Sequence, residues 1–214
     1  KATKDQSSYI VLEFCAGGTL EKAVTEDDNN NSSKQKQQKQ KQLTWVQRWQ
    51  WGLQLAEGLS YLHRNGIVHR DIKSENVILS QSDDVKWIDL GVAQVDVLID
   101  REETDVTKLN RKDAFWAAPE ETEGWPATTA SDVFSLGLVL WQLAAGQEIW
   151  PTLASGNVQA IVGVIKSEQI EQYLSLPEDC PEAKEWATMV RACWQHDPGK
   201  RPSAERLVQQ MKEM

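Results

Sequence analysis

The chain has no apolar run long enough to cross a bilayer, which asks for about 20 residues. Its longest candidate, Val133 to Ala145, is too short and is interrupted by Gln142. Cysteine is scarce. Cys15, Cys180 and Cys193 are odd in number and widely spaced, which excludes a disulfide framework and any zinc-ligand spacing and predicts a reducing, cytoplasmic setting. Positive charge is in deficit: the net charge of −9 argues against a nucleic-acid partner and otherwise describes a soluble surface. No secretory signal opens the 214 residues, and a start at Lys1 without methionine predicts a piece cut from something longer. Phenylalanine and tyrosine number three each against ten tryptophans. Most of these tryptophans fall at helical spacing, where core packing is expected of them rather than ligand contact.

What the chain does have is a dense polar cluster in Ile67 to Asn76, Ile-Val-His-Arg-Asp-Ile-Lys-Ser-Glu-Asn. Asn65-Gly66 before it stops a helix, and Val77-Ile78-Leu79 after it reads as a short buried strand. Asp71, Lys73 and Asn76 therefore sit on a loop whose scaffold can aim them at one point. An Asp five residues before an Asn suits phosphoryl transfer. The carboxylate accepts a proton from an incoming hydroxyl, the amide oxygen holds a divalent metal on the phosphates, and Lys73 offsets phosphate charge.

The flanking segments are read from their own patterns. Tyr9 to Phe14 reads as a buried strand, followed by the Gly17-Gly18 turn. Residues 27–42 are low in complexity with no apolar side chain, so they are expected to form a disordered insertion. Thr44 and Gln47 form a capping-box pattern, and Trp45, Trp49, Gly52, Leu55, Leu59 and Leu62 follow a helical stripe ending at Gly66. Val77–Leu79 and Val85–Ile88 predict two strands joined at Gln81 to Asp84, the second running into Asp89-Leu90-Gly91. That tripeptide alone is a common turn; on the far arm of a hairpin, Asp89 becomes a metal-ligand candidate. Asp132 to Leu143 is apolar on every side, a helix buried at the centre of a domain, with Gly146 as its stop. Further stripes are Val158, Ile161, Val162 and Ile165, then Trp186, Met189, Val190 and Cys193, then Leu207, Met211 and Met214 after a Ser203 cap.

Together these motifs resemble the protein kinases. His69, Arg70, Asp71 and Asn76 match their catalytic loop, His-Arg-Asp-x-x-x-x-Asn, and Asp89-Leu90-Gly91 is similar to Asp-Phe-Gly. Ala118-Pro119-Glu120 resembles the end of an activation segment. Cys193 to Pro202 resembles the Cys-Trp-x-x-x-Pro-x-x-Arg-Pro stretch of tyrosine and tyrosine-kinase-like kinases. The resemblance implies ATP and Mg2+ as cofactors and a protein substrate with a Ser or Thr acceptor. Asp71 and Lys73 would then be catalytic, and Asn76 and Asp89 would hold the metal. For the nucleotide it implies Leu12 at the back of the pocket, the Glu13 carbonyl and Cys15 amide facing adenine, Thr19 near the ribose and Ile78 beneath the purine. His69, Arg70, Glu120, Asp132 and Arg201 would be structural, with Arg201 paired to Glu120 and Asp132 bonded to the catalytic-loop backbone. Thr104 and Thr107 are candidate phosphosites whose phosphate would meet Arg70. Lys73 with Ser74-Glu75-Asn76 points to serine/threonine specificity and the tyrosine-kinase-like group.

The expected fold class is mainly α (α+β): a kinase C-terminal lobe, helical with short β-hairpins. Residues 1–20 would be the last N-lobe strand and hinge, and 21–214 the C-terminal lobe. No Gly-rich phosphate loop and no Val-Ala-x-Lys strand occurs, so the N-terminal lobe is expected from the parent chain and the fragment alone is expected to be inactive. Asp113 falls where a Thr is usual, which keeps open a pseudokinase acting as scaffold or allosteric binding module.

Overall fold

A computed structural model of the chain describes residues 12–25, 43–95, 113–153, 157–178 and 181–213. The insertion expected at 27–42, Thr104, Thr107 and Met214 lie outside them, as does the side chain of Asp113.

The longest helices form the frame: α2 (Trp45–Arg64), α4 (Thr129–Ala145), α7 (Pro181–Cys193) and α8 (Ala204–Glu213). Shorter helices complete it, namely α1 (Leu20–Thr25), α3 (Pro119–Thr122), α5 (Val158–Lys166) and α6 (Ile170–Tyr173). Helix α4 is buried on all faces from Ser131 to Ala144. It packs on α2 and α7, while α2 packs on α8. The α4–α7 approach needs a side chain of hydrogen alone: a Cβ on Gly137 would lie 2.7 Å from that of Cys193. Left-handed glycines follow both long helices, Gly66 (φ 68) and Gly146 (φ 67), where any Cβ would be strained. Among the described residues, no helix is long and apolar enough to cross a membrane.

Most of the tryptophans are core, as their spacing predicts, while Trp125 is 61% exposed. Trp141, Trp150 and Trp186 are fully buried, and each satisfies its indole N–H on a backbone carbonyl, of Ser175, Phe115 and Leu140 respectively. Trp45 and Trp49 meet Trp186 edge to face.

Two small antiparallel ladders pack against α2. β2 (Val77–Leu79) pairs with β3 (Val85–Trp87), and β1 (Ile67–Val68) pairs with β4 (Gln94–Val95). Helix α2 holds the first ladder through its turn. Trp51 Nε1 donates to the Asp83 carbonyl at 2.8 Å, Gln54 Nε2 to Asp84 at 2.7 Å, and Trp87 Nε1 to the Leu55 carbonyl at 3.0 Å.

Three sequence expectations are corrected. Leu12, Glu13 and Phe14 are neither strand nor core; Leu12 is 77% and Phe14 83% exposed. Their apolar pattern signals burial, yet among the described residues none of the three makes a backbone hydrogen bond. Thr44 Oγ1 does cap α2, accepting from the Gln47 N–H at 3.2 Å. The reciprocal half of the box is missing, because the Gln47 amide turns to Trp51 and Asp83. In α5 the buried positions are Ile161, Val164 and Ile165, with Val162 at the edge. The third stripe of α7, by contrast, holds throughout. The β1–β4 ladder has no counterpart in the sequence reading, since two-residue strands carry no periodicity.

Candidate active site

Strand β1 delivers the chain to the loop at His69, and α4 clamps it there. Asp132, 2% exposed near the start of α4, accepts the backbone N–H of His69 at 2.8 Å and of Arg70 at 2.9 Å, and meets His63 Nε2 at 2.9 Å. The clamp holds Arg70 at a φ of 69°, a left-handed conformation that costs a non-glycine residue about 1–3 kcal/mol. The Arg70 side chain stays exposed and donates to Gln94 Oε1 at 2.7 Å, tying the loop to β4. His69 is wholly buried, with its ring edge-on to Trp87 at 5.6 Å. Burial pushes its pKa below the ordinary value, with Asp132 and Asp71 opposing, so its ring is neutral at pH 7.

Both carboxylate oxygens of Asp71 are engaged by the loop itself. Lys73 Nζ lies 2.7 Å from Oδ1, and Asn76 Nδ2 donates to Oδ2 at 2.6 Å and to the Asp71 carbonyl at 2.9 Å. A 3-10 turn, Ser74–Asn76, folds the Asn back onto the Asp. With its nitrogen turned to Asp71, the Asn76 amide presents its oxygen elsewhere. The Ile88 N–H donates to the Asn76 carbonyl at 2.9 Å, so β3 ends beside this turn and Asp89 follows at once. Asp89 is exposed at a φ of 62°, with Oδ1 accepting from the Gly91 N–H at 3.2 Å. Leu90, which stands where Asp-Phe-Gly has its Phe, is 51% exposed among the described residues.

The connector runs along the opposite edge of the β2–β3 ladder. The Gly17 N–H donates to the Leu79 carbonyl and the Leu79 N–H to the Gly18 carbonyl, both at 3.0 Å. A Cβ on Gly17 would lie 2.6 Å from that of Leu79. Thr19 bridges to Ile78, so two of the five nucleotide candidates are neighbours. The Glu13 carboxylate pairs with Lys86. Leu12 stands in solvent, so it forms no back wall with the other described residues.

Downstream, Arg201 engages Glu120 with both terminal nitrogens at 2.8 Å. Its remaining N–H groups reach the carbonyls of Gln195, Ala130 and His196, and its plane lies over Phe134 at 5.0 Å. Burial alone would raise the Glu120 pKa, but Arg201 and Ser131 bring it below the ordinary value. The neighbouring Glu121 goes the other way. Burial pushes it up to about 7, with Glu120 and Asp132 adding to the shift and Arg70 opposing it. Its Oε2 accepts from the Ala118 N–H at 2.9 Å. No sequence motif marks Glu121, since its environment comes from α4 and the loop.

The donor set suits magnesium in kind. Asn76 and Asp89 offer hard oxygen atoms, and that ion asks for only one or two protein ligands beside phosphates and water. Consistently, among the described residues no group of three or more His, Cys, Asp or Glu side chains could cage a metal.

The family model for protein tyrosine and serine/threonine kinases matches residues 1–211. Similar proteins include the serine/threonine-protein kinase STY46 of Arabidopsis thaliana, 32% identical over 76% of this chain and 26% of its own length. The serine/threonine-protein kinase CTR1 of the same plant is 30% identical over 94% of the chain and 22% of its own length. The mitogen-activated protein kinase kinase kinase 12 of Rattus norvegicus is 29% identical over 93% and 20%. The chain thus spans about a quarter or less of each of these relatives. With a matched model over nearly its whole length, the chain belongs to the protein tyrosine and serine/threonine kinase family.

Proposed function

We propose that the protein is a serine/threonine kinase that transfers the γ-phosphoryl group of Mg2+-ATP to a protein hydroxyl. One observation carries the reading: Asp71 is held by Lys73 and Asn76 on a loop whose backbone is fixed by Asp132. A carboxylate so held can orient and accept the proton of a Ser or Thr hydroxyl, while Lys73 offsets phosphate charge. Asn76 and Asp89 would hold magnesium, which would supply positive charge to neutralise the phosphates. The relatives' names support serine/threonine over tyrosine acceptors.

In this reading the Glu13 carbonyl and the Cys15 N–H face the purine edge. Among the described residues neither bonds another backbone group, which supports that assignment. Thr19 lies near the ribose and Ile78 under the base. Arg70, exposed beside β4, receives a phosphate on Thr104 or Thr107. The unpaired thiols of Cys15 and Cys193 support a cytoplasmic setting. Residues 1–214 hold neither a Gly-rich phosphate loop nor a Val-Ala-x-Lys strand, so on this reading they transfer no phosphate by themselves. Retention of Asp71, Lys73, Asn76 and Asp89 argues against the pseudokinase alternative.

The test is Asp71→Asn in the full-length protein. Phosphate transfer to a protein substrate is expected to disappear while ATP affinity stays within about twofold, because the amide keeps the shape but cannot accept the proton. Unchanged turnover would overturn the proposal.

A further inference from the structure

The last turn of α2 and the first turns of α4 and α8 line one cavity of about 430 Å³. Thr129 and Ala130 open α4 there, and Ala204 and Glu205 open α8. A helix start leaves its first N–H groups without an intrahelical acceptor. Among the described residues these four meet no other acceptor either. The groups that follow them are served: the Thr128 carbonyl accepts from the Asp132 N–H at 3.1 Å, and Ser203 Oγ from the Arg206 N–H at 3.1 Å.

Ser60 is an independent sign of a missing ligand. It is 5% exposed and lines the same cavity, and its hydroxyl has no hydrogen-bond partner among the described residues. A hydroxyl so deeply buried ordinarily finds one. On a helix the usual partner is the carbonyl four residues back, which Thr25 and Thr188 use and Ser60 does not. One turn further along α2, Arg64 also lines the cavity, exposed and without a carboxylate partner among the described residues. Arg201 reaches the wall too, but Glu120 and three carbonyls take all its donors, so it supplies none. The carboxylate of the lining is that of Glu205, exposed on the first turn of α8. The donors outnumber it.

The lining defines the ligand by its chemistry. Two helix starts, a hydroxyl and a guanidinium together suit an oxyanion with several acceptor oxygens. A bare ion would leave most of the space empty, since the volume falls within the ~300–1,000 Å³ of small-molecule sites. Val133 and Pro202 add apolar wall for an organic part. We propose that this cavity binds a phosphate monoester. Its oxygens take the N–H groups of α4 and α8, the Ser60 hydroxyl and the Arg64 guanidinium, and its organic part lies on Val133 and Pro202. None of Asp71, Lys73, Asn76 and Asp89 lines the cavity, so the inference does not rest on the phosphoryl-transfer reading.

The test is calorimetric titration of the full-length protein, kept in excess Mg2+ and a non-hydrolysable ATP analogue. The probes are free O-phosphoserine and a short alanine peptide with phosphoserine at its centre. Binding of at least one is expected, with one site per chain, and none of its unphosphorylated counterpart. Arg64→Glu is expected to weaken that binding about tenfold or more, and Ser60→Ala about threefold. Similar affinities for the two probes would support a free small molecule as the source of the monoester. A peptide about tenfold tighter than the amino acid would support a phosphorylated chain. Binding of neither probe would overturn the site, and so would binding that Arg64→Glu leaves unchanged.

Discussion

The Ile88 N–H donates to the Asn76 carbonyl at 2.9 Å, and this one bond joins two segments whose polar groups the sequence separates. It fixes the end of β3 against the turn that folds Asn76 onto Asp71, so Asp89 emerges beside the catalytic loop. In the proposed site, a single backbone contact sets the relative position of both metal ligands.

Replacing Asn76 by alanine removes an oxygen ligand and both bonds to Asp71. In the full-length protein the Mg2+ concentration for half-maximal transfer is expected to rise about tenfold or more. Magnesium titration of initial rates checks this, and an unshifted midpoint would remove Asn76 from the metal site.

Asp132→Ala strips the acceptor from two backbone N–H groups and from His63. Buried donors left unsatisfied cost about 1–3 kcal/mol each. The variant is expected to lose about 3–5 kcal/mol in urea unfolding, with the loop no longer held at Arg70. Asp132→Asn, which retains one accepting oxygen, should lose less.

Glu121 makes stability depend on pH. The folded carboxyl keeps its proton up to about pH 7, whereas the unfolded one releases it near 4.5. Between these values the native state holds more protons, so this contribution is complete below pH 4.5 and is lost as pH rises toward 7. The charges that face it are Arg70, Glu120 and Asp132. Glu121→Gln still accepts from Ala118 and should flatten that slope. At pH 7 it is expected to gain about 1–2 kcal/mol, the half-buried side chain being partly screened by water. Unfolding curves at pH 5 and 7 read both effects.

Gly137→Ala tests the closest helix approach. Its new methyl would stand 2.7 Å from the Cys193 Cβ, with backbone behind it. Overpacking of this kind costs about 1–3 kcal/mol, expected as a lower unfolding midpoint with little change in slope.

Local chemistry was legible where it was dense. The loop from Ile67 to Asn76, the hairpin, the all-round apolar α4 and the Arg201 stretch are all short-range patterns, and each formed the element expected. The exposed Leu12 to Phe14 segment shows the limit of such patterns, because apolar alternation states a demand for cover and not whether a partner meets it. The Gln47 amide likewise fits the cap rule by spacing but bonds instead to Trp51, four residues on, and to the Asp83 carboxylate, 36 residues away.

The residue types available for chemistry and their helix–loop–strand order follow from the chain itself, since spacing and periodicity act over a few neighbours. Tertiary packing alone decided which groups share a site and in what state. Asp132 reaches back 62–63 residues to grip the loop, burial pushes the Glu121 carboxyl up to about 7, and Gln142 shares a cavity with Glu21, Glu75 and Glu148. Such effects depend on distance and dielectric between remote positions, and no window of sequence contains them.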